Sequence, residues 1–219
     1  MENEVSESNP SKKFLPRKIL LYCGLLSSIL YVITDLIACY QYPGYSITNQ
    51  NYSELLATGA PTRNFLLVVS VFYNLLVAAF AIGIWATPIP GRAARRTGIA
   101  MILYAAISMI TPTFFQMDMR GAEVTTLGSL HPPMTALMSL FILLSLGFGA
   151  FLSKKWFRYY SFTTIIIVCI FGLLTSLQVP ELSANLPTPW MGLTERVNIY
   201  LTLLWFSVAS VTLLQKQKE

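Results

Sequence analysis

The chain has 219 residues, of which 54% are hydrophobic and only 11% are charged, and its mean hydropathy is +0.58. Soluble domains carry about a quarter charged residues, so this composition is typical of a membrane protein and excludes a cytosolic enzyme. The net charge of +5 comes from a few short clusters and not from one continuous basic face, which excludes a nucleic-acid-binding protein.

Six apolar runs are long enough to cross a bilayer, which takes about 18–25 residues of helix. The sequence therefore predicts an all-α integral membrane protein, a six-transmembrane-helix bundle over residues 19–214. Polar tails flank it at residues 1–18, where disorder is expected, and at residues 215–219. The predicted spans are Ile19–Tyr40, Asn64–Thr87, Thr97–Phe115, Pro132–Ser153, Tyr160–Val179 and Val197–Leu214.

The basic residues are divided unequally between the two sides of the predicted bundle. Three arginines, Arg63, Arg120 and Arg196, lie on one side, and the other twelve lysines and arginines lie on the other. Because cytoplasmic loops are enriched in Lys and Arg, both termini are predicted to be cytoplasmic. The twelve residues are Lys12, Lys13, Arg17, Lys18, Arg92, Arg95, Arg96, Lys154, Lys155, Arg158, Lys216 and Lys218.

Each of the three short outer connections combines one arginine with at least one acid, and helices two, four and six begin on that side. Arginines and helix N-termini favour an anion, so a polar pocket for an anionic or phosphate-bearing ligand is predicted there. The alternative is a network of ion pairs that only closes the bundle. In the first connection, Ser53 is predicted to cap a short helix. The groups are Glu54 with Arg63, Asp118 with Arg120 and Glu123, and Glu181 and Glu195 with Arg196.

Asp35 is the only acid well inside a predicted span, about five residues from its outer end. A lone carboxylate in a bilayer costs about 2.5–3.5 kcal/mol, so Asp35 should face the bundle interior and find a cationic partner. Arg63 and Arg196 both lie at the outer start of a helix and are the two candidate partners. Asp35 is then either half of a structural ion pair or a group that faces a ligand.

His131 is the only histidine, which excludes sites that need two or more imidazoles, such as bis-histidine haem. Its position before two prolines at a helix start is typical of a capping residue, although catalysis stays an alternative. Asp118, His131 and Glu195 are the candidate acid and base groups of an enzyme. The three cysteines lie in apolar runs without metal-ligand spacing, so neither a metal site nor a cofactor is expected.

Several short segments together resemble a bacterial and archaeal membrane-protein family known as domain of unknown function 998. The resemblance covers about residues 20–215 and implies a multi-helix protein of the prokaryotic cytoplasmic membrane, without an assigned activity. Gln116 and Met117 depart from the proline-containing motif of the family. The segments are Ser53-Glu54-Leu55, Gly59-Ala60-Pro61-Thr62-Arg63, Tyr73-Asn74-Leu75, Phe115-Gln116-Met117-Asp118, His131 and Gly192-Leu193-Thr194-Glu195-Arg196.

The leading hypothesis is a multi-pass plasma-membrane protein that binds or transports a small anionic or lipidic ligand and works as a homodimer. The first alternative is a membrane-embedded enzyme acting on a lipid or isoprenoid, and the second is a structural or assembly partner of other membrane proteins. The expected partners are the lipid bilayer and the ligand. The predicted ligand-binding residues are Asp35, Glu54, Arg63, Asp118, Arg120, His131, Glu195 and Arg196.

Overall fold

The structure, a computed structural model, describes residues 10–216, with side chains from residue 16 onward. All the regular secondary structure of residues 10–216 is helical, and these residues contain no strand. The parts of the predicted tails at residues 1–9 and 217–219 lie outside it. The elements are α1 (Pro10–Gln41), a 3-10 helix (Tyr52–Leu56), α2 (Arg63–Trp85), α3 (Ala93–Phe114), α4 (Thr126–Ser129), α5 (His131–Gly149), α6 (Lys155–Ser176), α7 (Val179–Ser183) and α8 (Met191–Gln215).

Six of the described helices, α1, α2, α3, α5, α6 and α8, are long and apolar enough to cross a membrane, which agrees in number with the six predicted apolar helices. They form a closed ring in which each helix packs on the next and α8 returns to α1. The contact between α5 and α6 is the least extensive in this ring. Residues 42–62, 115–130 and 177–190 form outer loops 1, 2 and 3 at one end of the bundle, which we call the outer end.

All six long helices begin earlier than the hydropathy pattern predicts, and the difference is largest for α1 and α8. α1 starts at Pro10 and not at Ile19, and α8 starts at Met191 and not at Val197. Hydropathy marks only the apolar stretch of a helix, whereas the helical hydrogen bonds of the backbone extend into the polar residues that precede it. The placement of Glu195 and Arg196 in an outer loop is therefore wrong, because both lie in the first two turns of α8.

The inner half of the bundle is filled by aromatic side chains. Trp205, Phe206, Phe80 and Phe157 are fully buried there, and the Trp205 ring centroid lies 5.8 Å from that of Phe157. The indole Nε1 donates a 2.9 Å hydrogen bond to the Ser161 hydroxyl, which satisfies the only polar atom of the ring. A Cβ atom on Gly149 of α5 would overlap this indole, so a glycine at this position leaves room for the Trp205 ring of α8.

Outer loop 1 is ordered by a capping box around its 3-10 helix. The Asn51 side chain accepts the Glu54 N–H at 2.9 Å, and the Glu54 carboxylate accepts the Asn51 N–H at 3.1 Å. Asn51 is thus the cap, and the prediction that Ser53 fills this role is wrong, because the helix starts at Tyr52. The Tyr45 hydroxyl donates to the carbonyls of Gln50 and Asn51, which fixes the preceding turn.

Candidate functional site

Asp35 of α1 and Arg196 of α8 form a buried ion pair at the outer end, with side-chain exposures of 1% and 5%. The arginine Nε and Nη2 atoms each lie 3.0 Å from a different oxygen of the carboxylate, so the pair is bidentate. Of the two predicted partners of Asp35, Arg196 is the one it contacts. This pairing explains how a carboxylate is accommodated inside an apolar helix.

The remaining donors of Arg196 tie outer loop 1 to α8. Nη1 donates to the carbonyls of Ile47 and Gln50 at 3.1 and 3.2 Å, and Nη2 donates to the Tyr45 hydroxyl at 3.0 Å. Burial raises the pKa of the Tyr45 hydroxyl, which therefore acts as a neutral hydrogen-bonding group. All N–H groups of the guanidinium have acceptors, so Arg196 has none left for a ligand.

A second bidentate pair, between Glu54 and Arg120, joins all three outer loops. Arg120 Nε and Nη2 lie 3.1 and 3.0 Å from the two oxygens of Glu54. The same guanidinium donates to the Leu186 carbonyl at 2.9 Å and to the Thr188 hydroxyl at 2.8 Å. Thr188 in turn donates to the Asn49 carbonyl, so one arginine of loop 2 fixes loops 1 and 3.

Glu195 has a different partner from its neighbour Arg196. One of its carboxylate oxygens, Oε2, accepts a hydrogen bond from the backbone N–H of Tyr52 in outer loop 1. This agrees with the expectation that adjacent residues of a helix contact different neighbours. Glu195 is only partly buried, and in the described structure no arginine or lysine forms an ion pair with it.

Arg63, Asp118 and His131 lie outside the two ion pairs. Arg63 is the first residue of α2, and its Nε atom is buried without a hydrogen-bond partner among the described residues. Asp118 accepts hydrogen bonds from the N–H and hydroxyl of Thr125, the capping residue of α4. The structure thus unites four of the eight predicted site residues in ion pairs, and Glu195 joins them through loop 1.

The three candidate acid and base groups have separate partners. Asp118 contacts Thr125, Glu195 contacts the Tyr52 N–H, and His131 Nδ1 lies 2.8 Å from the Phe115 carbonyl. No hydrogen bond in the described structure joins any two of these three side chains. Residues 10–216 also contain no group of three or more His, Cys, Asp or Glu side chains that could hold a metal ion.

A groove of about 440 Å³ lies between the outer halves of α1 and α8, beside the Asp35–Arg196 pair. Its surface is almost entirely apolar, because the charged atoms of the pair are turned toward each other and toward loop 1. Sequence reasoning missed it, since apolar residues within a span carry no chemical signal. The lining residues are Asp35, Leu36, Cys39, Ile47, Leu193, Arg196, Val197, Tyr200, Leu201 and Leu204.

One sequence signal does accompany the groove. A Cβ atom on Gly192 would overlap the carbonyls of Ile47 and Gln50, so a glycine at this position permits loop 1 to pack on the start of α8. Leu193 N–H also donates to the Thr48 carbonyl at 3.1 Å. The Gly-Leu-Thr-Glu-Arg segment is therefore the part of α8 that receives loop 1.

Comparison with known proteins identifies a family and no activity. The chain belongs to the family described as Protein of unknown function (DUF998), which matches residues 25–212. This range includes all eight predicted site residues, both ion pairs and the groove. No curated protein and no solved structure matches the chain.

Proposed function

We propose, for this member of a family without an assigned activity, that the protein crosses the prokaryotic cytoplasmic membrane six times and binds the hydrocarbon chain of a lipid in the groove between α1 and α8. The observation that carries this proposal is an apolar groove of about 440 Å³ between two membrane-spanning helices. This volume falls within the range of about 300–1,000 Å³ typical of small-molecule sites.

The orientation in the membrane follows from the basic residues. Arg92, Arg95, Arg96, Lys154, Lys155 and Arg158 lie in or beside the inner connections, so the positive-inside rule makes the inner end cytoplasmic. A fluorescent protein that folds only in the cytoplasm, fused to the C-terminus, should fluoresce in intact cells. A dark fusion of normal abundance would contradict this orientation.

The groove is accessible from the side of the bundle. Leu36 on α1 and Leu204 on α8 line it and are 57% and 50% exposed on the outward surface of the ring. In a membrane, that surface faces lipid, so a hydrocarbon chain can enter between the helices without crossing the outer loops. We therefore infer lateral access from the bilayer.

Recognition in this groove depends on shape and apolar contact. Arg196 donates to Asp35, loop 1 and Tyr45, and its guanidinium has no N–H left for an anionic headgroup. The lipidic form of the predicted ligand is thus favoured over the anionic form. The Asp35–Arg196 pair joins α1 to α8 and so fixes the two walls of the groove relative to each other.

Photo-crosslinking tests the proposal. A fatty acid with a photoactivatable group in its chain, added to the protein in nanodiscs, should label peptides of both α1 and α8. Leu201→Trp fills the groove and should remove most of this labelling. The matched control is Leu173→Trp on α6, where the leucine is 61% exposed and lies outside the groove.

The two variants separate a specific site from general contact with lipid. Labelling that is lost in Leu201→Trp and kept in Leu173→Trp supports the proposal. Equal labelling of wild type and both variants, distributed over all six helices, would show that the groove has no preference for the chain.

A further inference from the structure

The outer end of the bundle carries a net negative charge. Its outer loops and adjoining helix ends contain three arginines and six carboxylates, which leaves a formal charge of −3. A negative end does not attract anions, although the arginines and helix N-termini alone suggested an anion. The charge balance indicates a cationic group instead.

One carboxylate among those that face loop 1 is uncompensated. Asp35 is paired with Arg196 and Glu54 with Arg120, both through two hydrogen bonds. Glu195 has only the backbone N–H of Tyr52, on its Oε2 atom. Its Oε1 atom has no hydrogen bond in the described structure, and the side chain keeps part of its surface accessible. An uncompensated carboxylate inside a membrane span is costly and marks a functional site.

Tyr52, whose backbone N–H donates to Glu195, belongs to a row of three packed tyrosine rings. The Tyr52 ring centroid lies 4.9 Å from that of Tyr31, and Tyr31 lies 5.1 Å from Tyr73. A divalent metal ion needs several oxygen ligands, and residues 10–216 contain no cluster of acidic or histidine side chains that would supply them. One carboxylate beside tyrosine rings fits an ammonium group, which is held by charge and by cation–π contact.

On the side of the ring away from the groove, the outer halves of α5 and α6 bury few side chains. The buried residues of α5, Ile142, Ser145, Leu146 and Gly149, are all in its inner half. Of those of α6, Phe157, Ser161 and Thr164 are in its inner half, and Val168 lies just past its midpoint. The contact between α5 and α6 is also the least extensive in the ring, so a ligand can enter between their outer halves.

We propose that Glu195, with the rings of Tyr52 and Tyr31, binds the ammonium group of an amine-bearing ligand that enters between the outer halves of α5 and α6. The ammonium can belong to a lipid headgroup, such as phosphatidylethanolamine or phosphatidylcholine, or to a free amine. This site uses a different side of α8 from the groove. Leu201→Trp should leave it unchanged, so its failure is distinguishable from failure of the proposed function.

The test uses the full chain in nanodiscs of phosphatidylglycerol, a lipid without an ammonium group. Choline, ethanolamine, or a fraction of phosphatidylethanolamine or phosphatidylcholine is added, and the rise in melting temperature is measured. Glu195→Gln removes the charge, so the ligand concentration that gives half of the maximal rise should increase about 30-fold or more. Glu123→Gln, which removes an exposed carboxylate of outer loop 2, is the matched control and should respond as wild type does.

The outcomes distinguish the sources of the ammonium group. A saturable response to the soluble amines supports a free ligand, and a response to the doped lipids alone supports a headgroup. No response to any of the four, or an equal response in Glu195→Gln, would overturn the proposal. If Glu195→Gln does not fold, Tyr52→Leu decides: binding about fivefold weaker of the amine or lipid to which wild type responds supports the site, and unchanged binding overturns it.

Discussion

The inner and outer halves of the bundle are held together by different interactions. The inner half has an aromatic core formed by Trp205, Phe206, Phe80 and Phe157. The Trp205 indole donates one hydrogen bond there, to the Ser161 hydroxyl. In the outer half, two arginine–carboxylate pairs and the hydrogen bonds of loop 1 connect the helices. The groove and the uncompensated Glu195 both lie in this outer half.

The difference indicates where a ligand can bind. In the inner half, van der Waals packing fills the space around Trp205, where a Cβ atom on Gly149 would overlap the indole. Polar pairs fix the outer helices at a few points and leave grooves between those points. The inner half is therefore the scaffold, and the outer half is the region that contacts ligands in our proposals.

The largest effect is expected from breaking the buried pair of the outer half. Arg196→Ala leaves the buried Asp35 carboxylate without a cationic partner and removes a hydrogen-bond donor of the Ile47 and Gln50 carbonyls in loop 1. We expect a loss of about 3–5 kcal/mol in the free energy of unfolding. Thermal unfolding of the purified protein in a mild detergent measures this loss.

A double variant separates the cost of the unpaired Asp35 charge from the cost of losing the Arg196 side chain. Replacing Asp35 by Leu together with Arg196→Met removes both charges and keeps apolar volume, so more than half of the lost stability should return. If the double variant is no more stable than Arg196→Ala, the loss comes from the contacts of Arg196 with loop 1, which both variants lack, and not from the unpaired Asp35 carboxylate.

A smaller effect is expected from overpacking the inner half. Gly149→Leu forces a side chain against the Trp205 indole, which should destabilise the protein by about 1–3 kcal/mol. Gly147→Leu is the control on the same helix, because a Cβ atom there meets nothing within 4 Å. Equal melting temperatures for the two variants would contradict the close contact between Gly149 and the Trp205 ring.

The smallest effect concerns the pair that joins the outer loops. Arg120 is 21% exposed, so Arg120→Ala should cost about 1–2 kcal/mol, less than the fully buried pair. Limited proteolysis should then cleave outer loops 1 and 3 faster, because both lose contacts to the same guanidinium. Cleavage at the wild-type rate would mean that the capping box alone orders loop 1.

The sequence predicts the number of helices and one half of the buried pair, because apolar length and a lone Asp35 are strong signals in a membrane span. It does not decide between Arg63 and Arg196, since hydropathy misplaces the start of α8 at the polar residues before Val197. The start at Met191 places Arg196 within α8, where it faces Asp35. The acceptors that loop 1 provides to Arg196 are backbone carbonyls. Their positions depend on how the loop folds, so the residue types do not predict them.

The most direct test of the central claim, that the groove between α1 and α8 holds a lipid chain, is native mass spectrometry of the protein extracted with its own lipids. Wild type and Leu173→Trp should retain a discrete lipid species, and Leu201→Trp should lose it. Unselective lipid bound equally by all three proteins would contradict the claim. The ion pairs and loop contacts of the outer half would then have only a structural role.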